Sequence, residues 1–134
     1  MTIRLDHLIV PSRNPIEGAK SLACLLDVPW EERLDPFAPV HVNDTLTLDF
    51  AARDTFESHH YCFGVSDAEF DAIFGRLRSA GIKYRSRPRG ENDMKINTRL
   101  GGRGVYWEDA DGHLWEILTA SYAHAGAPAL TSSP

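Results

Sequence analysis

The same order of elements is written twice along this chain, and that repetition limits the possible folds more than any other feature. In the first half, period-two alternation from Ile3 to Val10, the mark of a strand, precedes a helical stretch. Three further alternating stretches follow, Trp30 to Leu34, Val40 to Asn43 and Thr45 to Phe50. In the second half, His60 to Val65 precedes a helix, and Ile82 to Arg85, Gly104 to Glu108 and Leu114 to Thr119 follow it. The last two are joined by the turn Asp109-Ala110-Asp111-Gly112. Asn14, Pro15 and Glu17 punctuate the start of the first helix, which is predicted from about Pro15 to Asp27 with Ile16, Ala19, Leu22, Ala23 and Leu26 as its apolar stripe. Ser66 and Glu69 form a capping box before Phe70, Ile73, Phe74 and Leu77, and Gly81 stops that second helix.

A chain of 134 residues has room for one core, so two half-sheets must complete one another, within the chain or between two chains. The predicted fold is α+β: one domain over residues 1–122, built of two β-α-β-β-β modules at about 1–53 and 58–122, with a loose tail at 123–134. With 43% hydrophobic and 25% charged residues the chain reads as an ordinary globular domain. It lacks an apolar run of the roughly 18 residues that a membrane span needs, and Ile3, Arg4, Leu5 and Asp6 alternate where a signal peptide would be apolar, so a cytoplasmic location is the expectation. Cys24 and Cys62 make neither a disulfide framework nor a paired-cysteine zinc motif. The net charge of -5 excludes a protein that coats nucleic acid, but it averages -8 over residues 1–75, +7 over 76–103 and -4 over 104–134.

Alternate side chains of a strand point to opposite faces, so each polar residue takes a face from its neighbours. Tyr61, Phe63 and Val65 form an apolar row, which leaves His60, rather than His59, on the open side with Cys62 and Gly64. Trp115 and Ile117 form the packing row of the last strand, so Glu116 is open and His113 is buried. Leu46, Leu48 and Phe50 likewise leave Asp49 open. Parity alone leaves the face of His7 undecided, but the repeat pairs His7 with His60 and Asp49 with Glu116. His7 to Asp49 is 42 residues and His60 to Glu116 is 56, a difference of 14 that the longer loop between Arg85 and Gly104 absorbs.

Two carboxylates about 4 Å apart repel by roughly 4 kcal/mol at an effective dielectric of about 20, so a sheltered pair calls for a proton or a cation. With two neutral imidazoles beside them, a divalent metal (Fe, Mn, Ni, Co or Zn) satisfies the set of His7, His60, Glu116 and Asp49 while leaving positions open for substrate. Each residue taken singly is explained as well by a hydrogen-bonded strand histidine or a solvated aspartate.

Leu5-Asp6-His7-Leu8-Ile9-Val10, His60-Tyr61-Cys62-Phe63-Gly64-Val65 and Asp109-Ala110-Asp111-Gly112-His113 with Glu116 together resemble the vicinal oxygen chelate superfamily over residues 3 to about 121. That superfamily contains glyoxalase I, extradiol dioxygenases, fosfomycin-resistance thiol transferases and bleomycin-binding proteins. The resemblance implies an open, cupped mixed sheet, a homodimer, and His7, His60 and Glu116 as a metal triad, with Asp49 where glyoxalase I enzymes place a fourth, longer carboxylate. It implies a metal-dependent lyase, isomerase or dioxygenase acting on a small substrate that chelates the ion through adjacent oxygens. Glu116 would be the base of an isomerase, and Tyr106 resembles a tyrosine of the thiol transferases. The alternatives are a thiol transferase of the fosfomycin-resistance type, whose phosphonate-binding loop is not matched, and a metal-free protein that sequesters a drug or metabolite.

Lys83, Arg85, Arg87, Arg89, Lys95, Arg99 and Arg103 crowd one long loop. A lid over an anionic substrate and a solvated loop balancing an acidic body explain it equally well. Arg103 and Tyr106, at the start of the strand that leaves it, are the expected substrate contacts. His41 and Asn43 either line the cup or face solvent on an edge strand, and Trp30, Trp107 and Trp115 read as core or module-interface residues rather than a cofactor box.

Overall fold

The structure, a computed structural model, describes residues 2–123 of the 134. Most of the expected tail, residues 124–134, lies outside the described residues. The chain divides between Glu57 and Ser58 into two compact units.

The first unit runs β1 (His7–Ser12), α1 (Pro15–Leu26), β2 (Ala38–Asn43) and β3 (Leu46–Ala52). Its sheet has the order β1-β3-β2, with β1 parallel and β2 antiparallel to β3. Val10, Val40, Leu48 and Phe50 from the sheet and Ala19, Leu22 and Ala23 from α1 are buried as one core. Gly18 lets the helix lie close: a Cβ there would meet the Phe50 ring at 3.1 Å and the Ser12 hydroxyl at 3.2 Å. Pro15 opens α1 as predicted, but the Asn14 side chain makes no capping bond, and the helix ends on Asp27 in the left-handed region.

The second unit repeats this order with β4 (His60–Gly64), α2 (Asp67–Ser79), β5 (Gly104–Glu108) and β6 (Leu114–Leu118), in a sheet ordered β4-β6-β5 with the same parallel and antiparallel relations. The capping box of α2 is complete: the Ser66 hydroxyl accepts from the Glu69 amide at 3.2 Å, and the Glu69 carboxylate accepts from the Ser66 amide at 2.9 Å. Trp107 and Trp115 lie opposite one another across β5 and β6, both buried, and Tyr61 stacks on Trp115 with ring centroids 4.5 Å apart. This is the α+β, glyoxalase-like architecture. Among the described residues no helix is long and apolar enough to cross a membrane.

Three expected strands differ. In each unit the strand expected directly after the helix shrinks to a single bridge, Trp30 with Val40 and Arg85 with Tyr106, where Trp30 to Leu34 and Ile82 to Arg85 had the right alternation. The first strand begins at His7 rather than Ile3, because its partner β3 begins at Leu46 and pairs His7 with Thr47. Residues 3 to 6 thus have little of β3 to run against, and Ile3 and Leu5 are exposed.

Candidate metal centre

Both halves place a histidine and a carboxylate in the same register. In the first, His7 of β1 lies opposite Thr47 of β3, two residues before Asp49; in the second, His60 of β4 lies opposite Leu114 of β6, two residues before Glu116. Residues paired across a ladder, and those two further on, share a face. Each histidine therefore shares the open face of its sheet with its carboxylate. Parity had left His7 undecided; the ladder puts it, with Ile9, opposite the face that buries Val10 and Ser12.

In the second half the two side chains meet. His60 Nε2 and Glu116 Oε1 are 3.0 Å apart, with Glu116 almost buried and His60 about half exposed. Two ligands each about 2.1 Å from one ion and at a right angle to each other stand about 3.0 Å apart, so the pair already has the spacing of neighbouring ligands. Nitrogen and carboxylate oxygen also suit a first-row divalent metal. In the first half His7 Nδ1 instead lies 2.8 Å from Asp6 Oδ2, and that contact, the largest influence on the imidazole, raises its pKa. The charge of Asp49 pushes the same way. Among the described residues no three His, Cys, Asp or Glu side chains gather into a cage, so His60 and Glu116 form a pair.

Glu116 sits in a row of three, opposite Cys62 of β4 on one side and Tyr106 of β5 on the other. Cys62 is exposed at the surface, yet partial desolvation of its thiol, then the neighbouring Glu116 charge, pushes it up to about 12, so it stays protonated and un-nucleophilic at neutral pH. The same two causes raise the Tyr106 phenol, against a smaller opposing pull from Arg99, whose guanidinium donates to the Tyr106 hydroxyl at 3.3 Å. Tyr106 is thus a buried proton donor beside the carboxylate.

Arg103, expected at the substrate, is engaged elsewhere. Its guanidinium donates to Asp71 at 2.7 Å and to Asp67 at 3.0 Å and lies over the Phe70 ring, all on α2. Alternation explains this, since Arg103 precedes the buried Gly104 and stands three residues from Tyr106, on the other face. The arginine that reaches Tyr106 is Arg99, which follows an irregular loop where no periodicity could assign it a direction. His41 binds Glu31 at 2.8 Å and Thr47 at 3.2 Å on the open face of the first sheet. His59 lies 3.1 Å from the Tyr61 hydroxyl, and His113 is buried, as parity required.

Neither a protein-family model nor a curated protein matches the chain. Solved structures do. The oxidase ChaP-H2 is 39% identical, with 94% of this chain and all of that one aligned at a TM-score of 0.86. The oxidase ChaP-H1 is 40% identical over 90% of this chain and 98% of its own, at 0.83. The fosfomycin resistance protein FosX from Listeria monocytogenes, at 19% identity and a TM-score of 0.66 over 91% of this chain and 94% of that one, shares the fold.

Proposed function

Because this chain belongs to the vicinal oxygen chelate superfamily, we propose that it is a metal-dependent enzyme that oxidises a small substrate held through two adjacent oxygens. The observation that carries this reading is the 3.0 Å approach of His60 Nε2 to Glu116 Oε1 in a register that the other half repeats with His7 and Asp49. His7, His60 and Glu116 would hold the ion, and Asp49, on the same open sheet face as His7, would stay off it. Two imidazoles and one carboxylate are the donor set of iron(II) oxygen-activating sites, which favours iron over manganese, cobalt, nickel or zinc. The similarity to two proteins named oxidases supports the same choice. When bound, such an ion supplies Lewis acidity to the chelating oxygens and a redox couple for oxygen.

The chain's own residues do the rest. Tyr106, kept protonated by burial and by Glu116, donates a hydrogen bond to a substrate oxygen beside the carboxylate, and Arg99 holds the phenol in place. Cys62 and Tyr106 flank Glu116 on the two neighbouring strands and limit the water that reaches it. A homodimer belongs to the same proposal.

Elemental analysis of anaerobically purified protein tests it. About one iron per chain, reduced at least tenfold in His60→Ala and Glu116→Ala, is the expected result. Stoichiometric zinc or nickel would replace oxidation by isomerase chemistry. A chain that retains no ion after incubation with each of these metals would be a binding protein instead.

A further inference from the structure

The long loop between Arg85 and Gly104 is built around one buried arginine. Arg85 is 6% exposed, and its guanidinium donates to the carbonyls of Arg87 and Pro88 at 3.0 and 2.8 Å, to Asn92 at 3.3 Å and to Glu108 at 2.9 Å. Asp93 accepts from the Ser86 hydroxyl and amide, and Asn97 pairs with Gly104 in both directions along the backbone while its amide group donates to the Ser86 carbonyl. The loop is therefore held in one shape. That shape encloses an open cavity of about 360 Å³ lined by Ser86, Arg87, Pro88, Arg89, Asn97 and Arg99. The volume falls in the lower part of the range usual for small-molecule sites.

Three arginines and no acid line this cavity. Among the described residues Arg87 and Arg89 have no acidic partner, and the Arg99 guanidinium binds only the Ser86 carbonyl and the Tyr106 hydroxyl. Planar guanidinium groups that line one cavity without an acid beside them are suited to bidentate binding of phosphate or carboxylate oxygens. The cavity is also joined to the candidate metal centre, since Arg99 touches Tyr106, and Tyr106 lies opposite Glu116 in the ladder.

We infer that this cavity seats a multiply charged anionic group, a phosphate or a pair of carboxylates, carried by the substrate whose oxygens face Glu116. That the anion belongs to the substrate rests on the proposed function; that the cavity binds it does not. The occupant is accordingly a small molecule with its charge at one end and its chelating oxygens at the other, and Arg87 and Arg89 select for it.

Full-length protein titrated with inorganic phosphate and, separately, with malonate, followed by amide chemical shifts, tests the inference. Saturable shifts centred on residues 86–99 are expected, weakening as potassium chloride is added. Arg87→Gln/Arg89→Gln should weaken binding about tenfold or more, whereas Lys20→Gln on α1, which removes one positive charge elsewhere, should leave it within about twofold. Arg89→Gln alone, checked by circular dichroism, serves if the double variant unfolds. The tighter of the two probes identifies the phosphate or the carboxylate class. Shifts absent with both probes, or unchanged in the arginine variants, would overturn the inference. Metal content measured on the same samples separates the two claims: loss of anion binding with the metal retained concerns this cavity alone, and the reverse concerns the metal centre alone.

Discussion

Replacing Arg85 with methionine tests whether one buried guanidinium organises the basic loop. The substitution keeps the apolar stem of the side chain, ends it about where Nε stands and removes all of its donors. Two of the lost bonds go to the carbonyls of Arg87 and Pro88 and one to Asn92. Hydrogen bonds to a charged group contribute about 1.5 to 3 kcal/mol each when buried. Arg87 and Pro88 are themselves exposed, so water recovers part of that loss once the loop opens. The fourth bond, to Glu108, adds little, because that carboxylate is 53% exposed and a solvated ion pair contributes about 0 to 1 kcal/mol. The sum is a destabilisation of about 2 to 4 kcal/mol. Urea unfolding with the slope held constant measures it, beside Glu108→Gln, which should cost less than about 1 kcal/mol. Arg85→Met should also abolish phosphate binding by the cavity. Equal costs for the two variants, or a cost for Arg85→Met under about 0.5 kcal/mol, would show that the backbone carbonyls are not what the guanidinium holds.

Two further outcomes follow from local geometry. A Cβ at Gly102 would stand 2.6 Å from the Ala120 Cβ and 2.9 Å from its amide nitrogen, so Gly102→Ala should cost about 1 to 3 kcal/mol in urea unfolding, and a neutral result would mean that the segment after β6 is free to move aside. Asp93 is held below its ordinary value of 3.8, chiefly by the Ser86 hydroxyl and further by the amides of Ser86 and Lys95. A depressed carboxylate contributes fully above its unfolded pKa and loses that contribution as pH falls through the folded value, so the loop anchor should release only below pH 3.8. A carboxyl-carbon titration of Asp93 with its midpoint at or above 3.8 would refute this.

How much of this was legible in the sequence depends on how local each signal is. The helix punctuation at Ser66 and Glu69 involves neighbours in the chain, and the bonds formed as written. Face assignment in the second half also succeeded, because Tyr61 and Trp115 are bulky enough to fix which side is core. Alternation in Trp30 to Leu34 and Ile82 to Arg85 misled, since a strand needs a neighbour along its whole length and these stretches find one only at Trp30 and Arg85. Asn14 failed as a side-chain cap while Ser12, two residues earlier, accepts a bond from its amide instead. Arg85 was counted as one more loop charge, although its role depends on carbonyls and on Glu108 brought together only in the folded chain. The directions of Arg99 and Arg103 are likewise set by tertiary partners, Tyr106 for one and the acids of α2 for the other.

The central claim concerns two atoms, His60 Nε2 and Glu116 Oε1. Crystals of the protein grown with manganese(II) and measured near the manganese absorption edge would test it most directly. The account predicts an anomalous peak about 2.1 Å from both atoms. A peak bound to other side chains, or none while manganese saturates the protein in solution, would contradict it.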